Sequence, residues 1–296
     1  MAQLGFLGLG IMGYPMALHL VESGNEVALW SKTAKKAQEL AQKGAGKVCK
    51  TPKEVAENAD FVFYCVGDGG MSRDVALGRD GLIEGVRKGS VIADCGTISP
   101  AESKEIGAAF AAKGAHFLDA PCTGSKPGAE KGTLTFMIGG DEASYQKAKP
   151  YFELMGKVFY YCGPAGQGLQ AKLTQNLILA NLMQAFAEGM VLATKGGVPP
   201  ELMLEILDNS AAKSGLISFK APFILARDFK TNFATKWMHK DVGLALESGK
   251  SMDVPLPNTA LTEQMLRATI ARGWGDDDFC SAFRVLEEWA NVVVKK

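Results

Sequence analysis

No two of the six cysteines (Cys49, Cys65, Cys95, Cys122, Cys162, Cys280) stand in a C-x-x-C pair, and the three histidines (His19, His116, His239) are scattered. That excludes a zinc-ligand pattern and a disulfide framework, so no metal and a reducing, cytoplasmic setting are expected. Excess charge of one sign is missing too. Lys plus Arg and Asp plus Glu each number 32, and the basic residues are spread through helical stretches such as 32–43, which read as solvated faces. Neither nucleic acid nor a membrane surface is an expected partner. No basic region precedes the first apolar stretch, which a glycine turn already uses, so it does not read as a signal peptide. The longest apolar region, 177–193, contains Asn181, Gln184 and Glu188, which argues against a membrane span.

What the sequence does have begins at once. Residues 4–20 read L-G-F-L-G-L-G-I-M-G-Y-P-M-A-L-H-L, a strand, then Gly8, Gly10 and Gly13, then a helix with apolar Ile11, Met12, Met16, Leu18 and Leu20. In that setting Gly8 permits the tight turn, Gly10 lets a pyrophosphate approach the backbone, and Gly13 lets the helix pack closely. The turn 8–13, including Leu9, Ile11 and Met12, is therefore the expected dinucleotide site; a merely structural glycine turn is the alternative.

At 296 residues the chain suits two domains. Strand-like runs at 4–7, 26–30, 61–66, 90–94, 116–119, 133–138 and 158–161 alternate with helical ones, as in a doubly wound α/β sheet. The nearly continuous apolar runs F-V-F-Y-C-V and V-I-A-D-C suit strands covered on both faces. Between 133 and 161 the strand, helix, strand order suggests a mixed or antiparallel edge. The expected fold is an N-terminal Rossmann domain, 1–163, followed by an all-α domain, 164–296. Residues 166–195 lack proline and are apolar on nearly every face, predicting one buried helix on the order of 40 Å long. Such a rod suits either a subunit contact, in a homodimer or homotetramer, or the core of its own domain.

Ligands of open α/β sheets lie outside the carboxyl ends of the strands. After the second strand stand Ser31, Lys32 and Thr33, with no acid to hold a ribose 2′-hydroxyl. Ser31 and Lys32, with Lys35 or Lys36 one turn on, suit a 2′-phosphate, so NADP is expected, with NAD used less efficiently; solvated lysines are the alternative. Val66 and Thr97 follow later strands and are expected cofactor contacts. The run D-A-P-C-T-G-S-K at 119–126 exposes backbone amides, so Thr123, Gly124 and Ser125 could hold a carboxylate, or simply form a turn. Lys172 and Asn176 lie four apart on one face of an apolar helix. Burial lowers a lysine's pKa from about 10.4 toward neutrality and a bound anion restores it, giving a general acid for a carbonyl oxygen; a snorkelling surface lysine is the other reading.

Four ordered segments, G-F-L-G-L-G-I-M-G-Y-P-M-A at 5–17, D-A-P-C-T-G-S-K-P-G-A-E-K-G-T-L at 119–134, G-Q-G-L-Q-A-K-L-T-Q-N at 166–176 and H-K-D-V-G-L-A at 239–245, closely resemble the β-hydroxyacid dehydrogenases, relatives of 3-hydroxyisobutyrate dehydrogenase. The resemblance spans essentially the whole chain. It implies that Lys172 is the catalytic lysine, Asn176 its companion and Thr123-Gly124 the substrate anchor, with Lys240 facing the cofactor and Asp241 bracing the site. W-S-K-T at 30–33 looks like the W-N-R-T of the NADP-using glyoxylate and succinic semialdehyde reductases.

Two departures stand out. Where the family usually has V-S-G-G, this chain has Cys122-Thr123-Gly124-Ser125, followed by Lys126 as a further anion contact; Gly96 stands where a serine is common. The expected function is an NADPH-dependent reductase of a small oxo-carboxylate, glyoxylate or a short semialdehyde, with 3-hydroxyisobutyrate or tartronate-semialdehyde chemistry as alternatives. A 6-phosphogluconate dehydrogenase would need a larger helical domain, and imine reductases typically lack the lysine. A non-catalytic NADP-binding sensor is the rival of another class.

Overall fold

The computed structural model describes residues 3–296; residues 1 and 2 of the expected first domain lie outside the described residues. Its strands are β1 (Gln3–Leu7), β2 (Glu26–Trp30), β3 (Gly46–Val48), β4 (Phe61–Tyr64), β5 (Val91–Asp94), β6 (His116–Asp119), β7 (Cys122–Thr123), β8 (Leu134–Gly140) and β9 (Gly156–Gly163). They form one sheet in the order β3-β2-β1-β4-β5-β6-β8-β7, with β9 on β8. Strands β1 to β6 are parallel, β8 runs antiparallel to β6, and β9 runs parallel to β8, so the far edge is mixed as expected.

Because side chains alternate along a strand, register decides which core each residue enters. Phe6, Phe63, Ala93 and Leu118 are successive partners and join Met16, Leu20, Phe136 and Phe152 on one face. Val62, Ile92 and Phe117 join Leu7, Tyr64 and Phe110 on the other. Both faces are thus covered, which is why the central strands read as unbroken apolar runs.

Two strands escaped the sequence reading. β3 has only three residues, none of them buried, and β7 has two, so neither offers an apolar run to detect. Five expected strands shift at their ends: 4–7 starts at Gln3, 61–66 stops at Tyr64, 90–94 starts at Val91, 133–138 becomes Leu134–Gly140, and 158–161 lengthens to Gly156–Gly163.

By packing, the chain divides into two compact units, one running to Lys172 and the other Leu173–Lys296. The expected boundary at 163 coincides with the end of β9, whereas this division falls inside the helix that follows. In the second unit the helices Gln167–Lys195, Gly215–Leu225, Thr235–Ser251 and Phe283–Ala290 bury Met183, Phe186, Ala187, Met190, Ile224, Met238, Val242 and Phe283 in one core. The long helix Gln167–Lys195 starts one residue after Gly166, whose φ of +88° is not helical. By length and composition it could cross a bilayer; Asn181 instead donates to Thr259 and accepts from Thr262.

The helix is not buried all round, as its composition suggested. Ile178, Leu182 and Leu192 are 52%, 40% and 75% exposed, because the core takes up one side of a helix that is apolar on several.

A charged pair sits inside this core. Lys220 Nζ lies 2.7 Å from both carboxylate oxygens of Asp278, and each side chain is 2% exposed. Asp278 also accepts from the Asn232, Phe233 and Cys280 amides, and the ammonium lies 5.0 Å from the Phe279 ring centroid. Removing one member strands the other without solvent. Lys220→Met should therefore lower unfolding free energy by about 3–5 kcal/mol in urea denaturation; a loss below about 1 kcal/mol would show that the three amides alone satisfy Asp278.

Candidate active site

The first crossing of the sheet reverses between β1 and β4, and the glycine turn emerges from β1 at that point. Gly8 has φ +86°, and a Cβ there would lie 2.3 Å from the Cys65 carbonyl oxygen. A Cβ on Gly13 would lie 1.9 Å from the Gly8 oxygen and 3.2 Å from the Phe6 ring. These two glycines let the helix Gly13–Glu22 seat on the turn. A Cβ on Gly10 would meet nothing within 4 Å. That helix has no side-chain cap and no acid in its first turn, so its amide dipoles are left for an external anion. The turn therefore fits a pyrophosphate. Leu9 is buried, Met12 packs against the core, and Ile11 projects outward, 51% exposed.

Beyond β2, Ser31 Oγ accepts from the Thr33 amide at 3.3 Å and Lys32 is exposed. The two lysines one turn on separate. Lys36 Nζ donates to the Leu9 carbonyl at 3.1 Å, at the glycine turn, whereas Lys35 pairs with Glu39 at 3.8 Å.

After β5, a buried network fixes the turn leading to Thr97. Tyr64 OH contacts Ser72 Oγ at 3.0 Å, Ser72 Oγ donates to Asp94 Oδ2 at 2.6 Å, and Asp94 Oδ1 accepts from the Gly96 amide at 2.7 Å. Burial, and then the Asp94 charge, pushes the Tyr64 hydroxyl well above its usual range. A Cβ on Gly96 would lie 2.9 Å from Asp94 Oδ1 and 3.0 Å from the Val66 oxygen, so a serine would require these neighbours to give way.

The substrate-loop candidates follow β6. Cys122 and Thr123 pair antiparallel with Phe136 and Thr135. Gly124 (φ +133°), the residue before the short helix Ser125–Glu130, and Ser125 (φ +54°), its first residue, both have positive φ, and the helix has no side-chain cap. For serine that conformation is strained. Lys126 pairs with Glu130 at 3.7 Å, half exposed.

Lys172 is buried, 7% exposed. Burial pushes the neighbouring Cys122 thiol up to about 11, against the pull of the Lys172 ammonium, which favours the thiolate. The snorkelling alternative is thereby removed: this ammonium sits beside Cys122, next to Thr123. In the second unit, Asn176 Nδ2 donates to Asp241 Oδ2 at 2.6 Å, and Lys240 Nζ lies 3.0 Å from Asp241 Oδ1, with Asn176 and Asp241 almost fully buried. One carboxylate thus holds Asn176 and Lys240, two of the residues that the resemblance singled out.

Asp119, at the end of β6, drew no role from the sequence although it opens the substrate-loop motif. It is fully buried, and its carboxylate accepts from the Gly166 amide at 2.7 Å and the Leu169 amide at 2.9 Å. The signal was available: the segment G-P-A-G-Q-G entering the long helix offers no Ser, Thr, Asp or Asn to cap it, so a cap must come from elsewhere. Among the described residues, no cluster of three or more His, Cys, Asp or Glu is arranged to hold a metal ion.

A doubly wound sheet with an open glycine turn at its reversal suits a dinucleotide, and comparison with known proteins makes the chain a nicotinamide-dinucleotide oxidoreductase. Residues 3–163 match the family described as the NAD binding domain of 6-phosphogluconate dehydrogenase, and 166–286 that described as NAD-binding of NADP-dependent 3-hydroxyisobutyrate dehydrogenase. The chain is 36% identical to 2-(hydroxymethyl)glutarate dehydrogenase of Eubacterium barkeri over 99% of its own length and 97% of that protein's. It is 36% identical to the chloroplastic glyoxylate/succinic semialdehyde reductase 2 of Arabidopsis thaliana, over 96% of this chain and 79% of that one. The solved structure of Mycobacterium tuberculosis 3-hydroxyisobutyrate dehydrogenase with L-serine superposes with a TM-score of 0.89 at 31% identity, covering 97% and 99% of the two chains. The chain belongs to the β-hydroxyacid dehydrogenase family.

The glycines make opposite predictions. Gly10→Ala should leave stability within about 0.5 kcal/mol of wild type, since it enters open space, yet weaken dinucleotide binding, read by cofactor fluorescence. Gly13→Ala should instead cost about 1–3 kcal/mol of stability through overpacking. Equal stability losses at both positions would refute this division of roles.

Proposed function

We propose that this enzyme is an NADPH-dependent reductase of a small oxo-carboxylate, glyoxylate or a short semialdehyde such as succinic semialdehyde, with Lys172 as general acid. The observation that carries it is the buried Lys172 ammonium beside the Cys122-Thr123 strand end, where two residues of positive φ follow. From there the lysine can attract a substrate carboxylate and give its proton to a carbonyl oxygen.

NADPH supplies a hydride to the carbonyl carbon when bound. The chain's part is to bind, orient and protonate. The Thr123 hydroxyl with the Gly124 and Ser125 amides holds the substrate carboxylate. Lys172 Nζ then gives its proton to the carbonyl oxygen as negative charge develops there. Asn176, Asp241 and Lys240 are read as one unit, because Asp241 fixes the amide and ammonium together. The names of the relatives, which include glyoxylate/succinic semialdehyde reductase, support this substrate class.

Preference for NADP rests on the absence of an acid after β2 and on Ser31, Lys32 and Lys36, of which Lys36 already reaches the glycine turn. The enzyme is also read as cytoplasmic and homo-oligomeric, a homodimer or homotetramer.

Turnover of NADPH with a panel of short oxo-acids tests the activity. Lys172→Met keeps most of the packed stem and should lower kcat about 10²- to 10⁴-fold with cofactor affinity unchanged; near-normal kcat would remove Lys172 from the chemistry. Lys172→Arg should rescue little, since guanidinium hardly releases its proton. Lys32→Asp should lower the ratio of kcat/KM for NADPH to that for NADH by about tenfold or more, the worth of one hydrogen bond to a charged group. An unmoved ratio would take phosphate recognition away from Lys32.

A further inference from the structure

The long helix that carries Lys172 enters from G-P-A-G-Q-G, a segment with no capping side chain of its own. Its first amides are satisfied across 47 and 50 residues of sequence by Asp119, whose Oδ1 takes the Gly166 N–H and whose Oδ2 takes the Leu169 N–H. The carboxylate has no slack. A Cβ on Gly139 would lie 2.6 Å and 2.7 Å from its two oxygens, and a Cβ on Gly168 would lie 2.8 Å from the Asp119 carbonyl oxygen and 2.4 Å from that of Met137. Lys172 follows Leu169 by three residues, on the same side of the helix. Any movement of the anchored amide is therefore passed to the ammonium one turn on.

We propose that Asp119 is a positioning residue for the reduction: by clamping the start of the long helix to the end of β6, it sets the place from which Lys172 delivers its proton. This rests on the reading of Lys172 as the acid. The same residue makes the clamp sensitive to pH. Burial pushes the Asp119 carboxyl up to about 6, partly offset by the Gly166 and Leu169 amides. Asp94 from β5 and Cys162 from β9 face it, and the Asp119 charge helps to hold the Cys162 thiol above its usual range. From the helix Pro100–Ala112, Lys104 lies against Gly166, where a Cβ would be 2.9 Å from its Cε; β8 and the segment 166–169 bring only backbone groups and uncharged side chains. Above about 6 both oxygens are strong acceptors. Below it one becomes a hydroxyl, a poorer acceptor, and the amide bond to that oxygen weakens.

The expected result with Asp119→Asn, whose single oxygen can serve one amide while its NH₂ opposes the other, is a kcat roughly tenfold below wild type at pH 8 with KM for NADPH unchanged. At pH 5, where wild-type Asp119 is itself protonated, the two enzymes should differ less than twofold. A purely structural role would leave the ratio independent of pH, and that outcome overturns the proposal. Combining Asp119→Asn with Lys172→Met separates the two readings. If Asp119 acts through Lys172, the second substitution should add almost nothing to the loss caused by Lys172→Met. Full additivity overturns the positioning role and leaves Lys172 in place, whereas an active Lys172→Met enzyme overturns the reading beneath it. Should Asp119→Asn fail to fold, the wild-type protein carries the test alone: the Gly166 and Leu169 amide proton resonances should titrate together with a midpoint near 6, and their failure to move between pH 5 and 8 contradicts the clamp.

Discussion

Close approach of backbone to backbone at the carboxyl edge of the sheet is the constraint on which the dinucleotide unit depends. At Gly8 the turn lies against the Cys65 carbonyl, at Gly13 the first helix lies against the turn, and at Gly168 the long helix lies against Met137. None of these contacts tolerates a Cβ. Each lets an element that carries chemistry seat directly on the strand ends, where amide dipoles and side chains can converge on a ligand. Gly10 is the exception that gives the arrangement its use, since the space beside it is open.

Around this edge the polar groups are held by carboxylates rather than left to solvent. Asp94 and Asp119 are register partners on neighbouring strands, both almost fully buried. One fixes the turn to Thr97 and the other the start of the long helix. In the helical unit Asp241 does the same for Asn176 and Lys240. Each anchored group is thereby confined to a narrow range of positions before any ligand arrives, which reduces the ordering that binding must impose.

Much of this was legible in the sequence. The glycine turn between an apolar strand and an amphipathic helix announces itself locally, and so do the unbroken core strands. Lys172 and Asn176 were visible as a spacing, but a lysine on an apolar helix reads equally as a snorkelling surface residue; family resemblance raised its standing and burial beside Cys122 removed the alternative. What escaped is what depends on distant pairing. β3 is recognisable only through its partner β2, because its own three residues carry no pattern. Asp119 reads as one letter of a motif until the helix start it caps is in place. That Lys36 reaches the glycine turn while Lys35 pairs with Glu39 depends on the Leu9 carbonyl, twenty-seven residues away.

In the proposed reaction a buried lysine protonates the carbonyl of a small oxo-acid as hydride from NADPH reaches its carbon. The most direct measurement is the pH dependence of the reduction step itself, followed in a single turnover with NADPH and succinic semialdehyde. A general acid must hold its proton to act, so the rate should fall on the basic side by about tenfold per pH unit once that proton is lost. A rate that stays level into the basic range, with the substrate and cofactor still bound, would contradict the account.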